Sequence, residues 1–532
     1  MPQPRATFIQ QDKWIGRHRS YTQPIEGYHK FAVYQPPKGK RLLEYNRMTK
    51  ELQGLIKRAL DNGKTLRAIG SSWSLSKVGM TDHELINTKN LSIVLPVPPN
   101  LMAPEYTGDR EKLRFLETGA EIVTINRLLF QHRLSLKASG SNDGQTLAGV
   151  ISTNTHGSAF KFGSTQDFVV GLHLITGPRS HVYLQRDSYR VVNEKFAQKL
   201  GAKLINDDTL FNAALVSFGS FGIIHGTMIE ARDLFLLHAS RRFQPFDAAI
   251  EQAISALDFS GYTAYFKKLE REATKRNGFP VTCNANTLYH FQVTVNPNEA
   301  EHGHRPTDAA VYFMFEGKYR EDYEPPPWDQ GAAGPGASGL ELLGELFELA
   351  PGVFKPFVKK TINESVRNLF QYDITGTFLD LFRGEKTRGK VFASGIGLEL
   401  SNALPVLDLA LRTYEQFGTI MPILITLRFV KATDALLGFT KFAPVTCVLE
   451  IDGINTANTR RYANQVWNNI EAAGIPFTMH WGKFNTHLNK SRVRNVYGMR
   501  ADAWIHSRER LLKPDVRQVF TNAFLKRVGL AT

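Results

Sequence analysis

The chain has 532 residues, 42% apolar and 11% aromatic, so it is long enough for two domains with their own cores, and general disorder is excluded. The formal net charge is +15, but the basic residues are scattered without a long run or an aromatic-interleaved motif, which makes nucleic-acid binding an unfavoured interpretation. No run of about 18 apolar residues occurs, so the sequence predicts no membrane-spanning helix.

The cysteine and histidine content predicts a reducing compartment and no metal site. Cys283 and Cys447 are too few for a disulfide framework, and residues 1–20 lack the apolar core of a secretory signal, so we expect a cytoplasmic protein. His302 and His304 have no further metal-ligating residues near them in the sequence, which favours a surface loop over a metal centre.

The first 235 residues alternate between helical and strand-like patterns. Apolar residues recur at helical spacing in residues 42–62, and Asp61-Asn-Gly63 predicts the end of that helix. Strands are predicted over residues 65–69, 84–91 and 113–118, and a helix over residues 122–131. We expect a first domain over residues 1–235 that mixes helices and strands in two small subdomains.

A second mixed region follows. Its pattern predicts strands over residues 287–295, 310–315, 420–430 and 445–451 and a helix over residues 405–417. We assign residues 236–475 to a second domain and residues 476–532 to a segment that returns to the first. The expected fold class of the whole chain is α+β.

An insertion is predicted inside the second domain, near residues 324–360. Residues 324–339 are rich in Pro, Gly and Ala and are typical of a flexible linker, while residues 340–357 are apolar and helical in pattern. Three interpretations stay open: a surface excursion packed on the second domain, a mobile lid, or an amphipathic patch for an apolar ligand or a membrane surface.

Three segments have the composition of loops that hold a ligand. Residues 144–158 (GQTLAGVISTNTHGS), here the cofactor loop, are dense in small and hydroxyl side chains. Residues 70–74 (GSSWS), here the phosphate loop, follow an apolar strand, and residues 218–230 begin another glycine-punctuated strand. Glycine lets the main chain approach a ligand, and hydroxyl and N–H groups bind phosphate oxygens. Alone, each segment would pass for an ordinary loop.

Together, these segments resemble the FAD-binding domain of the vanillyl-alcohol oxidase, or PCMH-type, flavoproteins. Met479-His-Trp-Gly-Lys483 resembles the His-Trp-(Gly/Ala)-Lys signature of the aldonolactone oxidase group, which includes arabinonolactone, gulonolactone and alditol oxidases. Residues 427–437 (LRFVKATDALL) resemble that group's arginine-containing substrate strand. The resemblance implies a PCMH-type FAD-binding domain with two subdomains, a mixed α/β cap over the substrate, and a C-terminal return to the first domain.

The resemblance also implies functional residues. Arg428 and Lys483 would stabilise negative charge that develops near flavin N1 and C2=O, and His480 would polarise or accept the substrate hydroxyl proton while hydride passes to N5. The residues implied to hold FAD are Ile69, Gly70, Ser71, Ser72, Trp73, Ser74, Ser141, Thr146, Gly149, Thr153, Asn154, Thr155, His156, Gly157, Ser158 and Ile224.

The phosphate loop departs from the family pattern at Trp73. Many relatives have a histidine at this position that is joined covalently to the flavin, and tryptophan cannot form that bond. We therefore expect noncovalent FAD, with the indole near the dimethylbenzene edge of the ring.

The substrate strand departs from the pattern as well. The relatives' Glu-x-Arg reads Thr426-Leu-Arg428 here, so the arginine is kept and the carboxylate is lost. In a neighbouring predicted strand, period-2 alternation would place Glu399 on the face of Ser401, where the family has an acid. Glu399 is the candidate replacement, with a solvent-facing glutamate as the alternative.

These observations predict an FAD-dependent oxidoreductase that acts on CH–OH groups. We expect O₂ as the acceptor, with an electron carrier as the alternative, and a substrate less hydroxylated than a sugar lactone. Two other functions stay open: a tailoring flavoenzyme that oxidises an amine or drives oxidative cyclisation, and a flavin-binding scaffold without activity. The expected partners are a small-molecule substrate and no nucleic acid, and peripheral membrane contact stays possible.

Overall fold

The computed structural model describes residues 6–302, 304–326, 359, 360, 363, 364, 367, 372–382 and 390–532. The apolar stretch of residues 340–357 lies outside this set, so its lid and patch interpretations stay predictions. Across the described residues, helices and strands alternate along the chain, and the α+β fold class is confirmed.

The described strands form three larger sheets and two strand pairs. A four-stranded sheet contains, in this order, β1 (Ala6–Gln10), β4 (Gly27–Phe31), β6 (Glu84–Asn87) and β5 (Leu66–Ile69). A six-stranded sheet contains, in order, β12 (Lys203–Asn206), β11 (His181–Gln185), β10 (Val169–Ile175), β13 (Ile223–Glu230), β8 (Leu113–Glu117) and β7 (Val94–Leu95). The pairs are β2 (Lys13–Ile15) with β3 (Thr22–Pro24), and β9 (Leu134–Ser135) with β14 (Arg232–Asp233).

The largest sheet has eight strands and begins at Phe235. In order, it contains β18 (Tyr372–Gly376), β15 (Phe235–Pro245), β17 (Asp308–Lys318), β16 (Leu288–Val295), β20 (Ile423–Lys431), β21 (Val445–Ile454), β19 (Val391–Leu398) and β22 (Thr478–Met479). Strand β22 precedes the His480 motif, so the sheet itself positions that motif beside β19.

The helices of the described residues are mostly short. They are α1 (Arg41–Asp61), α2 (Ile122–Gln131), α3 (Leu147–Ser152), α4 (Glu194–Leu200), α5 (Asp208–Leu215), α6 (Ala248–Ala256), α7 (Thr263–Asn277), α8 (Phe378–Leu381), α9 (Ala403–Phe417), α10 (Ala457–Ala472), α11 (Lys490–Tyr497), α12 (Met499–Leu511), α13 (Pro514–Val519) and α14 (Ala523–Arg527). None of them is long and apolar enough to cross a bilayer. Most predicted elements recur with shifts of a few residues at their ends.

Side-chain alternation gives the eight-stranded sheet one apolar and one polar face. On the apolar face, the rings of Phe291, Phe313 and Phe429 stack, and Phe266 of α7 packs edge-on against Phe313 at 5.1 Å between ring centroids. Arg428 lies between Leu427 and Phe429 in β20 and therefore points to the other face. The sheet thus buries its aromatic side under a helix and leaves its polar side for the site.

The C-terminal helices pack against the first domain. The fully buried Arg67 of β5 donates to the carbonyl oxygens of Phe520 at 2.6 Å and Val78 at 3.2 Å, and Trp504 of α12 donates to Val216 O at 3.0 Å. Residues 476–532 therefore contact residues 1–235, as the sequence analysis expects. The three domain boundaries themselves stay predictions.

Candidate active site

A cavity of about 390 Å³ is lined by the candidate loops and by the polar face of the largest sheet. Several separate parts of the chain contribute to it. The lining residues include 68–75, 140–142, 145, 146, 148–150, 152, 153, 155, 156, 218, 219, 222, 224, 391–393, 428, 450, 452, 453, 480, 482 and 483. The predicted cofactor loops and the predicted catalytic strand therefore meet at one place.

The phosphate loop and the cofactor loop touch where a glycine of each loop meets a side chain of the other. A Cβ atom added at Gly70 would lie 1.9 Å from Thr146 Oγ1, and one added at Gly144 would lie 2.9 Å from the Trp73 ring. The indole N–H of Trp73 donates to Gly144 O at 2.9 Å. This wall of main chain and small side chains has no room for larger residues, as a cradle for phosphates requires.

Unpaired polar atoms in this wall suit a polar ligand. Gln145 Oε1 and His18 Nδ1 are buried without a hydrogen-bond partner among the described residues, and both residues line the cavity. Such atoms destabilise a protein unless a ligand or water binds them. Backbone cradle and orphaned polar atoms together fit a dinucleotide such as FAD.

An N-terminal hairpin that sequence analysis missed closes one side of the cavity. It comprises β2, β3 and the turn between them, and Trp14 Nε1 donates to Ser72 Oγ at 3.1 Å. The Arg17 guanidinium lies 4.3 Å from the Trp73 ring centroid, and the His18 ring lies 5.3 Å from it in an edge arrangement. Burial, aided by Arg17, lowers the pKa of His18 to about 4, so the cavity faces a neutral imidazole.

Most of the predicted cofactor and catalytic residues line the cavity. They are Ile69, Gly70, Ser71, Ser72, Trp73, Ser74, Ser141, Thr146, Gly149, Thr153, Thr155, His156, Ile224, Arg428, His480 and Lys483. The placement brings them together, while their individual roles stay predictions.

Three of the residues predicted to hold FAD, all of them in the cofactor loop, are not among the lining residues. Asn154 accepts from Phe439 N–H at 2.8 Å, and Ser158 links β16 to β20 by donating to Phe291 O and accepting from Phe429 N–H at 2.9 Å. A Cβ atom added at Gly157 would lie 2.2 Å from Ser139 O. These contacts fix the loop against the largest sheet, so the three residues support the wall from behind.

Glu450 is a site residue that sequence reasoning missed. It lies directly opposite Thr426 across the β20–β21 ladder, and it is 1% exposed. Its carboxylate contacts Arg428 Nε at 2.8 Å and Lys483 Nζ, and it faces His156 Nε2 at 3.4 Å. Burial alone would raise the pKa of Glu450, but Arg428 and Lys483 hold it well below its usual range. The cavity therefore contains an ionised glutamate between two cations.

The structure does not bring Glu399 to this cluster. Strand β19 ends at Leu398, and residues 400–402 form a 3₁₀ turn, so the alternation expected to align Glu399 with Ser401 does not apply. The Glu399 side chain is exposed and is not among the residues that line the cavity. The prediction required a strand that runs to Ser401, but β19 ends three residues before it, at Leu398.

Asp452 is a second carboxylate at the cavity. Its Oδ1 lies 3.8 Å from Lys483 Nζ, farther than a hydrogen bond, and has no hydrogen-bond partner among the described residues. Burial and the nearby Glu450 raise the pKa of Asp452 to about 6, although Lys483 and Arg428 oppose the rise. Asp452 therefore changes charge close to neutral pH.

The His480 motif is held by its backbone and by its tryptophan. His480 N–H donates to Gly395 O at 2.8 Å, and the buried Trp481 donates from Nε1 to Leu437 O at 2.7 Å. His480 Nδ1 accepts from Gly482 N–H at 3.0 Å, which leaves the ring proton of the neutral imidazole on Nε2. Burial keeps the pKa of His480 well below its usual range. The motif thus presents a neutral N–H donor and the Lys483 ammonium.

Comparison with known proteins identifies the first part of the chain. Residues 45–183 match the FAD binding domain family. The chain is similar to D-arabinono-1,4-lactone oxidase of Yarrowia lipolytica, 29% identical over 38% of this chain and 34% of that protein. It is also similar to L-gulono-1,4-lactone dehydrogenase of Mycobacterium tuberculosis, 27% identical over 41% of this chain and 43% of that protein. These alignments span less than half of either relative.

The fold extends the similarity over the whole chain. A solvent-stable cholesterol oxidase aligns with 98% of both chains at a TM-score of 0.67 and 13% sequence identity. Residues 45–183 therefore form an FAD-binding domain, the chain shares the fold of that oxidase, and the resemblance to the aldonolactone oxidase group is confirmed. FAD as the cofactor is confirmed with it; the mode of attachment stays a prediction.

We expect Gly70→Ala to lower the FAD content of the purified protein by about tenfold, because the new methyl group would collide with Thr146 and push the two loops apart. The matched control is Gly79→Ala, at another lining glycine, where the nearest atom to an added Cβ is 3.7 Å away. Flavin absorbance per mole of protein measures both. Equal FAD content in the two variants would contradict the proposed closeness of the loops.

Proposed function

We propose that this protein is an FAD-dependent oxidoreductase that oxidises a CH–OH group of a small-molecule substrate. The observation that carries the proposal is the cluster of Arg428, Lys483 and Glu450 in the same cavity as the FAD-binding loops. Arg428 and Lys483 place two cations in the cavity, and the ionised carboxylate of Glu450 contacts both of them. Such fixed charge lowers the barrier when negative charge develops during a reaction.

Bound FAD would supply the two-electron acceptor that hydride removal from an alcohol carbon requires. The residues of this chain bind and orient. Arg428 and Lys483 are held by Glu450, so their positions do not change when charge develops beside them. His480 offers its Nε2–H to a substrate oxygen.

The proposed substrate is an alcohol with an apolar body. The cavity wall beside Asp452 consists of Val391, Phe392, Ala393 and Gly453, whose side chains offer no hydrogen bond to a hydroxyl group. A polyhydroxylated sugar acid or alditol would leave several hydroxyls unpaired there, at about 1–3 kcal/mol each. The relatives that this chain resembles in sequence are named for their lactone substrates, so the proposed difference lies in the substrate.

The electron acceptor, the mode of FAD binding and the compartment belong to the same proposal. O₂ reoxidises the flavin, FAD is bound without a covalent link, and the protein acts in the cytoplasm. Noncovalent binding of FAD is supported by the tryptophan at position 73, because an indole cannot form the histidyl bond to the flavin. The Arg17 guanidinium lies over the Trp73 ring and holds the phosphate loop against the N-terminal hairpin.

The test of the function is anaerobic addition of a panel of apolar alcohols, alditols, aldonolactones and amines to the FAD-loaded protein. We expect apolar alcohols to bleach the flavin absorbance, and readmission of air to restore it if O₂ is the acceptor. Bleaching by amines alone would favour the tailoring enzyme. Bleaching by alditols or lactones as fast as by apolar alcohols would refute the proposal of an apolar alcohol as substrate. If no member of the panel bleaches the flavin, the result would favour a flavin-binding scaffold without activity.

We expect acid precipitation to release the flavin into the supernatant, because Trp73 cannot form the histidyl link. The absorbance of pellet and supernatant measures this, and a digest of the pellet would locate any attached flavin. A yellow pellet would show that another residue is bonded covalently to the flavin and would contradict the proposal of noncovalent FAD.

We expect Glu450→Gln to slow substrate-dependent flavin reduction by about 100-fold, because Arg428 and Lys483 lose the charge that positions them. The matched control is Glu399→Gln, the same change at an exposed glutamate of the same domain, which we expect to leave the rate unchanged. Stopped-flow reduction at saturating substrate measures both, with FAD content checked first. A slow Glu399→Gln variant beside a normal Glu450→Gln variant would reverse the assignment.

A further inference from the structure

Two histidines at the cavity are held in opposite tautomers. His156 and His480 lie with their ring centroids 5.6 Å apart, and both rings are buried. His156 Nδ1 lies 3.0 Å from Gly157 O and Nε2 lies 3.4 Å from Glu450 Oε1, and we assign the proton to Nδ1 because its acceptor is nearer. Nε2 of His156 is therefore an acceptor, whereas Nε2 of His480 is a donor because Gly482 N–H occupies its Nδ1.

An alcohol hydroxyl has one proton to donate and lone pairs that accept, so one acceptor and one donor nitrogen complement it. We infer that Nε2 of His156 accepts the proton of the substrate hydroxyl while Nε2–H of His480 holds the hydroxyl oxygen. The inference rests on the proposed function and assigns it a catalytic base. It also gives His156 a role other than the cofactor contact that the family resemblance implies.

Glu450 is placed to stabilise the proton after transfer. Its Oε1 lies 3.4 Å from His156 Nε2, so the carboxylate attracts the imidazolium once the proton has transferred. In this arrangement Glu450 orients and stabilises the base without itself taking the proton. Lys483, Arg428 and the neighbouring His480 are the other titratable groups near His156, and Lys483 and Arg428 oppose its protonation.

The other candidates are less suited to accept the proton. His480 has its acceptor nitrogen occupied by Gly482 N–H, and the Lys483 ammonium is bound to Glu450. Asp452 keeps a free oxygen, but it lies on the Lys483 side of the cluster and has no contact with either imidazole among the described residues. His156 is the neutral side chain with both an accepting nitrogen and a counter-ion.

The step transfers one proton and one hydride from the alcohol. The O–H bond breaks, its proton forms the Nε2–H bond of a His156 imidazolium, and its electron pair becomes the second bond of the carbonyl. The C–H bond breaks at the same carbon, and its hydride leaves to the FAD of the proposed function, which is reduced. The imidazolium later returns its proton to solvent.

Burial lowers the pKa of His156 below its ordinary 6.5, with Lys483 and Arg428 acting in the same direction and Glu450 opposing. His156 is then neutral, and competent as a base, at neutral pH. The rate of flavin reduction should stay level near neutrality and fall on the acid side as His156 becomes protonated. Asp452, whose pKa is about 6, titrates in the same cavity and must be separated from it.

The test uses His156→Asn in the FAD-loaded protein, because the asparagine amide can still donate to Gly157 O while it removes the accepting nitrogen. We expect flavin reduction to slow by about 100-fold and to lose its acid-side fall, since the base is absent. His480→Gln, which retains an N–H donor, should slow reduction less and keep the fall in rate at acid pH. Asp452→Asn should keep that fall as well.

A second measurement does not depend on activity. Nitrogen-15 NMR of histidine-labelled protein, assigned with the two histidine variants, reports which ring nitrogen carries the proton. We expect Nδ1–H for His156 and Nε2–H for His480. The reverse pattern for His156 would overturn the inference even if His156→Asn failed to retain FAD.

The outcomes separate the inference from the function on which it rests. If the wild-type flavin is not reduced by any panel member, the proposed function fails. If the wild type is reduced and His156→Asn keeps its rate and its pH profile, the inference fails and the function stands. Restoration of rate to His156→Ala by added imidazole would support the base directly, whereas loss of the acid-side fall in Asp452→Asn would transfer the role to Asp452.

Discussion

The site depends on the burial of one carboxylate. Glu450 is 1% exposed, and a carboxylate so placed is stable only when cations or hydrogen-bond donors surround it. Its partners come from separate parts of the chain: Arg428 from β20, Lys483 from the segment after β22, and His156 from the cofactor loop. Neutralising this charge therefore fixes the position of the FAD-binding loops relative to the largest sheet.

A second buried charge, that of Arg67, also fixes one part of the chain relative to another. Arg67 lies in β5, just before the phosphate loop, and its guanidinium donates to carbonyl oxygens of residues 78 and 520. Asn522 donates to the carbonyls of Val78 and Met80 at 3.0 and 2.8 Å. The strand that ends in Gly70 is thus tied to the C-terminal segment, and the loop after it begins from a fixed point.

The sequence predicts those parts of the site that local patterns specify. Gly70 and the small residues of the cofactor loop reveal themselves because close backbone approach requires them, and the His480 motif is short and contiguous. The predicted strands of residues 287–295 and 445–451 recur as β16 and β21 because their apolar alternation is local. Most of these residues line the cavity, as expected.

The features that the sequence did not predict depend on the register between distant strands or on the exact residue at which a strand ends. The pairing of Thr426 with Glu450 joins residues 24 positions apart through a connection whose length does not fix the register. The Glu399 prediction assumed a strand that continues to Ser401, and this premise was wrong because β19 ends at Leu398. The hairpin that brings His18 to the cavity carries no glycine-rich or motif signal, and only its packing on Trp73 reveals it.

The position of charge on the sheet, rather than its position in the sequence, decides whether the family's chemistry survives. The strand that reads Thr426-Leu-Arg428 lacks the expected glutamate, but directly opposed residues in an antiparallel pair have Cβ atoms about 5 Å apart. A carboxylate on β21 at the partner position of Thr426 therefore reaches the same arginine, and Glu450 Oε2 lies 2.8 Å from Arg428 Nε. The glutamate missing from the Thr426 strand thus removes no charge from the site.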